Sequence, residues 1–158
     1  MIRAGSDREG EPVVRRKMRE LGRPEGSPPV RVLVVDDDPN VRSHVSKMLN
    51  AAGYETAVAA DGPKALELAS GLTWVDLLVT DLVMPGMNGD ELACQMRAHR
   101  RDLKVLYLTG FRERLFAYRG GLWENESVLD KPCSMSELLA SVAALLSPAS
   151  QPESPYLR

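Results

Sequence analysis

The chain is poor in cysteine, in long apolar runs and in net charge, and each shortage excludes a class of protein. Its 158 residues hold two cysteines, Cys94 and Cys133, too few for the disulfide framework of a small secreted domain and not spaced as a metal or redox pair. Cys94 falls in an apolar helical pattern and is expected to be a small buried hydrophobe. No apolar run approaches the roughly 20 residues that span a bilayer. Met1-Ile2-Arg3-Ala4-Gly5 lacks the apolar stretch of a signal peptide, so a cytoplasmic location with no membrane contact is expected. Twenty Lys and Arg against 22 Asp and Glu leave a formal charge of -2, which makes no case for a nucleic-acid partner. The basic excess sits at the N-terminal end, leaving the rest of the chain acidic.

Residues 1–29 are rich in Arg, Glu, Gly and Pro and read as a flexible arm, with a short helix over Val13–Leu21 as the one element they could form. Arg15-Arg16-Lys17-Met18-Arg19 is balanced by Glu11 and Glu20 and reads as solvated. Residues 148–158, punctuated by proline, read as a flexible tail. The domain proper is placed at 30–147, a length that supports one hydrophobic core.

Within it, strand and helix patterns alternate. Arg31–Val35 is an apolar, β-branched run suited to a strand covered on both faces. Asp38-Pro39 opens a helix, with Asp38 as cap and Pro39 in the first turn, and Val41, Val45, Met48, Leu49 and Ala52 form its apolar stripe. Tyr54–Ala59, Val75–Thr80, Lys104–Leu108 and Ser127–Leu129 read as further strands. A second helix after Asp61-Gly62-Pro63 turns Ala65, Leu66, Leu68 and Ala69 to the core. Asn88–Glu91 and Ser134–Glu137 have capping-box spacing before two more helices. The stretch 110–126 is the least legible, with one short helix expected around Glu113–Tyr118. Together these elements predict an α/β fold, a doubly wound five-stranded parallel sheet with helices on both faces.

In such sheets ligands bind beyond the carboxyl ends of the strands. Those ends carry Asp36-Asp37-Asp38 after the first strand, Asp81 after the third, Thr109 after the fourth and Lys131 after the fifth. Carboxylates brought together raise one another's pKa unless a cation lies among them, and an all-oxygen set suits Mg²⁺. A carboxylate can also attack phosphorus, given positive charge and donors around the phosphoryl oxygens. The acidic run after the first strand is incompatible with the G-x-G-x-x-G of a nicotinamide site and with a flavin phosphate. Asp36 and Asp38 have the spacing of haloacid-dehalogenase-like phosphatases, but Asp81 and Lys131 are then left without a role.

Four stretches carry a family resemblance: Val32–Pro39, Thr80–Gly89, Leu106-Tyr107-Leu108-Thr109-Gly110 and Asp130-Lys131-Pro132. Over about residues 31–146 the sequence resembles the CheY-like (flavodoxin-like) receiver domain of bacterial two-component response regulators. The resemblance implies that Asp81 accepts the phosphoryl group and that Asp36 and Asp37 hold Mg²⁺ together with Asp81 and the backbone carbonyl of Val83. It implies that Thr109 and Lys131 bind the phosphoryl oxygens, and that the partner is a sensor histidine kinase or a histidine phosphotransfer protein. Such a domain catalyses its own phosphorylation and dephosphorylation without being a turnover enzyme.

Two departures stand out. Val128 occupies the place three before Lys131 where the family usually has a rotating aromatic residue, so switching is expected to fall on Thr109, Gly110 and Phe111. The run from Gly110 to Leu129 resembles receivers attached to hybrid sensor kinases. With no output domain expected after residue 146, the readout is expected to be a protein contact, a self-dimer included, or onward transfer of phosphate. The alternative is a receiver-like interaction module that works without phosphorylation.

Overall fold

The structure, a computed structural model, describes residues 26–71 and 75–147. Most of the arm, with its Val13–Leu21 helix, and the tail 148–158 lie outside them. The elements run β1 (Arg31–Val35), α1 (Pro39–Ala51), β2 (Glu55–Ala59), α2 (Gly62–Gly71), β3 (Leu77–Thr80), α3 (Gly89–Arg97), β4 (Lys104–Thr109), α4 (Arg112–Arg119), β5 (Glu126–Asp130) and α5 (Met135–Leu146). All strand pairs are parallel, in the order β2-β1-β3-β4-β5. The chain leaves β1 towards one edge and returns as β3 on its other side, which opens a crevice at the carboxyl ends of β1 and β3.

Alternation along the strands sorts the core into two layers. Val32, Val34, Leu77, Val79, Leu106 and Leu108 meet Val45, Met48 and Leu49 of α1 and Leu138 and Val142 of α5. Leu33, Val35, Leu78, Val105 and Tyr107 face the other way, onto Ala65 of α2, Leu92, Ala93 and Met96 of α3 and Leu115 of α4. β1, β3 and β4 are buried on both faces, as their unbroken apolar runs require.

The helix starts follow their caps. Asp38 Oδ1 accepts from the Asn40 amide at 2.9 Å and Pro39 opens α1. Ser134 Oγ accepts from the Glu137 amide at 3.1 Å while Glu137 accepts from the Ser134 amide at 2.9 Å. At α3 Glu91 accepts from the Asn88 amide at 3.3 Å. The illegible stretch resolves into α4, which Gly120 ends in the left-handed conformation at φ 74°, a place that suits a residue without Cβ.

Two expectations fail. Cys94 is exposed, because the buried face of α3 is set by Leu92, Ala93 and Met96 and position 94 turns away from it. Leu68 is 37% exposed: α2 lies over the β2 side of the sheet, and Ala65, Leu66 and Ala69 are the residues that reach the core.

A polar cluster clips the far ends of β4 and β5 to the helices. The Glu126 carboxylate, fully buried, pairs with Arg97 at 2.7 Å and Arg119 at 2.6 Å, and accepts from the Tyr107 hydroxyl and the Trp123 amide, each at 2.9 Å. Burial alone would raise its pKa, but these four donors together hold it below its ordinary value of 4.5. Tyr107 is pushed well above the ordinary phenol range by burial and by the adjacent carboxylate. Because the folded pKa of Glu126 is depressed, its stabilisation is full above 4.5 and is lost as pH falls through the lower folded value. Glu126→Gln is expected to cost about 3 kcal/mol in neutral urea denaturation, and the gap from wild type is expected to close as pH falls below 4.5.

Candidate functional site

The backbone brings the acidic residues together before any side chain is considered. β1 and β3 are in register with Val35 opposite Thr80, and the Asp81 amide donates to the Val35 carbonyl at 3.0 Å. Asp36 and Asp81 therefore leave adjacent strands side by side. Carboxylate oxygens of Asp36, Asp37 and Asp81 lie within 4.8 Å of one another. Asp36 is buried, Asp81 half-buried and Asp37 exposed.

Lys131 enters this group from the end of β5. Its Nζ lies 2.6 Å from Asp36 Oδ2 and 3.2 Å from Asp81 Oδ2. Its own amide donates to the Thr109 carbonyl at 3.0 Å, which joins the fourth and fifth strand ends, and the Lys131–Pro132 peptide is cis. Burial pushes the Asp36 carboxyl up, and the Lys131 ammonium and the Asp38 amide offset this only in part. Burial would lower Lys131, but its bonds to the two carboxylates outweigh that and leave its pKa raised. The cation that three crowded carboxylates demand is thus supplied by the chain itself.

Smaller contacts set the frame. The Asp38 amide donates to Asp36 Oδ1 at 2.9 Å, and the Arg42 guanidinium donates to the Asp36 carbonyl at 2.7 Å. Thr109 is fully buried, and its hydroxyl accepts from the Phe111 amide at 3.0 Å. Gly110 is exposed, and Phe111 is 48% exposed. Val83 is half-buried in the loop after Asp81, and Val128 is half-buried against the same core layer as Tyr107, its partner across the β4–β5 ladder.

The donor set fits a hard divalent cation: three carboxylates of graded exposure, with no sulfur or imidazole among them. Lys131 engages Oδ2 of Asp36 and of Asp81, so such an ion would share these carboxylates with the lysine.

Comparison with known proteins agrees with this geometry. The response regulator receiver domain matches residues 32–143. The chain belongs to the response regulator receiver family. Among curated receivers it is 39% identical over 135 residues to the response regulator MprA of Mycobacterium sp. (strain KMS), covering 82% of this chain and 57% of that protein. The chain thus spans little more than half the length of the curated relatives it matches. Among solved structures, the receiver domain of the hybrid histidine kinase CckA is 31% identical with a TM-score of 0.63, covering 74% of this chain and 99% of that one. The response regulator TrrA of Thermotoga maritima, solved with Mg²⁺ and BeF, is 34% identical with a TM-score of 0.61 over 73% of this chain and 98% of that one. Receivers of response regulators and of a hybrid kinase appear at similar identity, so the expected leaning towards hybrid kinases is not singled out.

The sequence reading missed Gly89. A Cβ there would overlap the Asp81 carbonyl oxygen and stand 3.0 Å from Thr80 Cγ2, while the Gly89 amide donates to the Leu82 carbonyl at 2.8 Å. The start of α3 is pressed against the backbone of Asp81, and a glycine that opens a helix gives no sign of this in the sequence. Gly89→Ala is expected to cost about 2 kcal/mol by overpacking and to weaken Mg²⁺ binding measured by titration calorimetry. Unchanged affinity would show that the shift does not reach the carboxylate.

Proposed function

We propose that Asp81 is the phosphoacceptor of this receiver and that phosphorylation switches a protein contact or passes the group onward. The observation that carries this reading is the convergence of Asp36, Asp37 and Asp81 within 4.8 Å, with the Lys131 ammonium bridging two of them. A Mg²⁺ ion held by Asp36, Asp37, Asp81 and the Val83 carbonyl would neutralise charge on the transferring phosphoryl group.

Asp81 offers a carboxylate oxygen to phosphorus. The new O–P bond forms as the bond from phosphorus to the donor's imidazole nitrogen breaks, and the electron pair leaves with the imidazole. Lys131, already 3.2 Å from Asp81 Oδ2, moves its contact to a phosphoryl oxygen, and the Thr109 hydroxyl donates to another. The donor in this reading is a sensor histidine kinase or a histidine phosphotransfer protein. Residues 30–147 form the receiver. Among the described residues no helix is long and apolar enough to cross a membrane.

With Mg²⁺ and acetyl phosphate the chain is expected to gain one base-labile phosphoryl group by intact mass. Asp81→Asn should gain none, and Asp37→Ala should lose both label and Mg²⁺ binding. Label retained on Asp81→Asn would move the acceptor elsewhere, and a chain that binds its partner equally well unlabelled would favour a phosphorylation-independent module.

In this reading Val83 and Phe111, two residues beyond Asp81 and two beyond Thr109, flank the path of the hydrolytic water, and neither side chain can polarise it. Slow loss of the phosphoryl group is therefore expected. A Val83→Asn, Phe111→Glu double variant should dephosphorylate about a hundredfold faster, the lower end of what a positioned general acid or base contributes. Equal decay rates would show that these positions do not gate water.

A further inference from the structure

The ties that hold α4 to the sheet differ sharply between its two ends. Of its described side chains only Leu115 is buried, so among these apolar packing holds the helix at one point and the other ties are polar. At the end nearer the Lys131 side, Arg112 pairs with Asp130 at 2.6 Å, but both side chains are widely exposed, at 43% and 60%. Exposed pairs contribute little. The turn before α4 is tied by the Phe111 amide, which donates to Thr109 Oγ1 at 3.0 Å.

The far end is built differently. Arg119 is 9% exposed and pairs with the fully buried Glu126 at 2.6 Å. It also donates to the Tyr107 hydroxyl at 3.2 Å, and its guanidinium stacks over the Trp123 ring at 3.8 Å. Arg97 of α3 grips the same carboxylate from the other side at 2.7 Å. One carboxylate thus ties α3, β4, α4, the 120–125 turn and β5. A buried pair of this kind is costly to break, because either partner alone would be left as an uncompensated charge.

We propose that the Arg97–Glu126–Arg119–Tyr107 cluster is a fixed pivot that confines phosphorylation-coupled movement to residues 110–115. The proposal rests on the receiver reading above. Turning Thr109 Oγ1 towards a phosphoryl oxygen removes the acceptor of the Phe111 amide, which leaves the exposed Arg112–Asp130 pair and, one turn on, the buried Leu115 side chain as the described ties at that end. The amino-terminal turn of α4 swings and carries Phe111 with it, while Arg119 stays in place. Tyr107 cannot act as a rotating reporter, since its hydroxyl is committed to Glu126. The aromatic ring that Val128 lacks is present across the ladder, but it is locked.

Amide hydrogen exchange on the full chain, with Mg²⁺ alone and with Mg²⁺ and beryllofluoride, tests this. In wild type, exchange at 110–115 should change by roughly tenfold, equivalent to about 1.4 kcal/mol of local opening, with amides 119–126 unchanged. In Glu126→Gln, and in the milder Arg119→Lys should the first fail to fold, the change should spread through 126. A uniform change over 110–126 in wild type, no change at 110–115, or variants that keep the wild-type boundary would overturn the pivot. Acetyl phosphate labelling of the same preparations separates the two readings. A labelled Asp81 with any of these exchange patterns overturns the pivot alone, whereas an unlabelled Asp81 overturns the receiver reading and the pivot with it.

Discussion

Mutual repulsion among the carboxylates at the ends of β1 and β3 is the constraint on which the site depends. Asp36, Asp37 and Asp81 share a space of a few ångströms, and Asp36 is buried there. Such a group tends to protonate or to push its strands apart unless positive charge is close. Lys131 answers that demand from 50 residues beyond Asp81, so the end of the fifth strand is tied electrostatically to the first and third. The bond from the Lys131 amide to the Thr109 carbonyl extends the tie to the fourth. Charge added among these oxygens acts directly on Lys131, whose backbone joins the strand ends beside it.

That coupling makes the site a switch as well as a receptor for charge. In the proposed reading a metal ion or a phosphoryl group would alter the balance that holds Lys131 between two carboxylates, and rotation of Thr109 towards a phosphoryl oxygen would draw its hydroxyl away from the Phe111 amide. The opposite end of β4 and β5 carries the complementary arrangement, a single buried carboxylate with every partner in place. One end of this strand pair carries carboxylates held by a single lysine, and the other a carboxylate gripped by four donors. A helix lying across both inherits the difference, since saturated buried networks rigidify their surroundings and exposed pairs do not.

The family match, over residues 32–143, spans these strand ends. The similarity to MprA and to the CckA and TrrA receivers covers the region of the five strands, where spacing between strand ends leaves little freedom. Val128 and Tyr107 face each other across the ladder with the aromatic on the inner strand, and Arg119 fills the space above them.

The sequence by itself determined the order of elements, the caps at Asp38 and Ser134, and the placement of Asp36, Asp37, Asp81, Thr109 and Lys131 at strand ends. These features are written in local periodicity and in short motifs, which a parallel sheet converts into position without further information. Helix facing was legible only where the apolar stripe was unambiguous. Position 94 of α3 and position 68 of α2 lie beside their stripes, and the layer they meet decides their exposure. Only the tertiary structure decided the Glu126 cluster, whose members lie as far as 29 residues apart and carry no local motif. The need for glycine at position 89 likewise came from an approach of α3 to the Asp81 backbone. Burial turns such charges into obligatory partners, and burial is a property of the packed layers, not of any one segment.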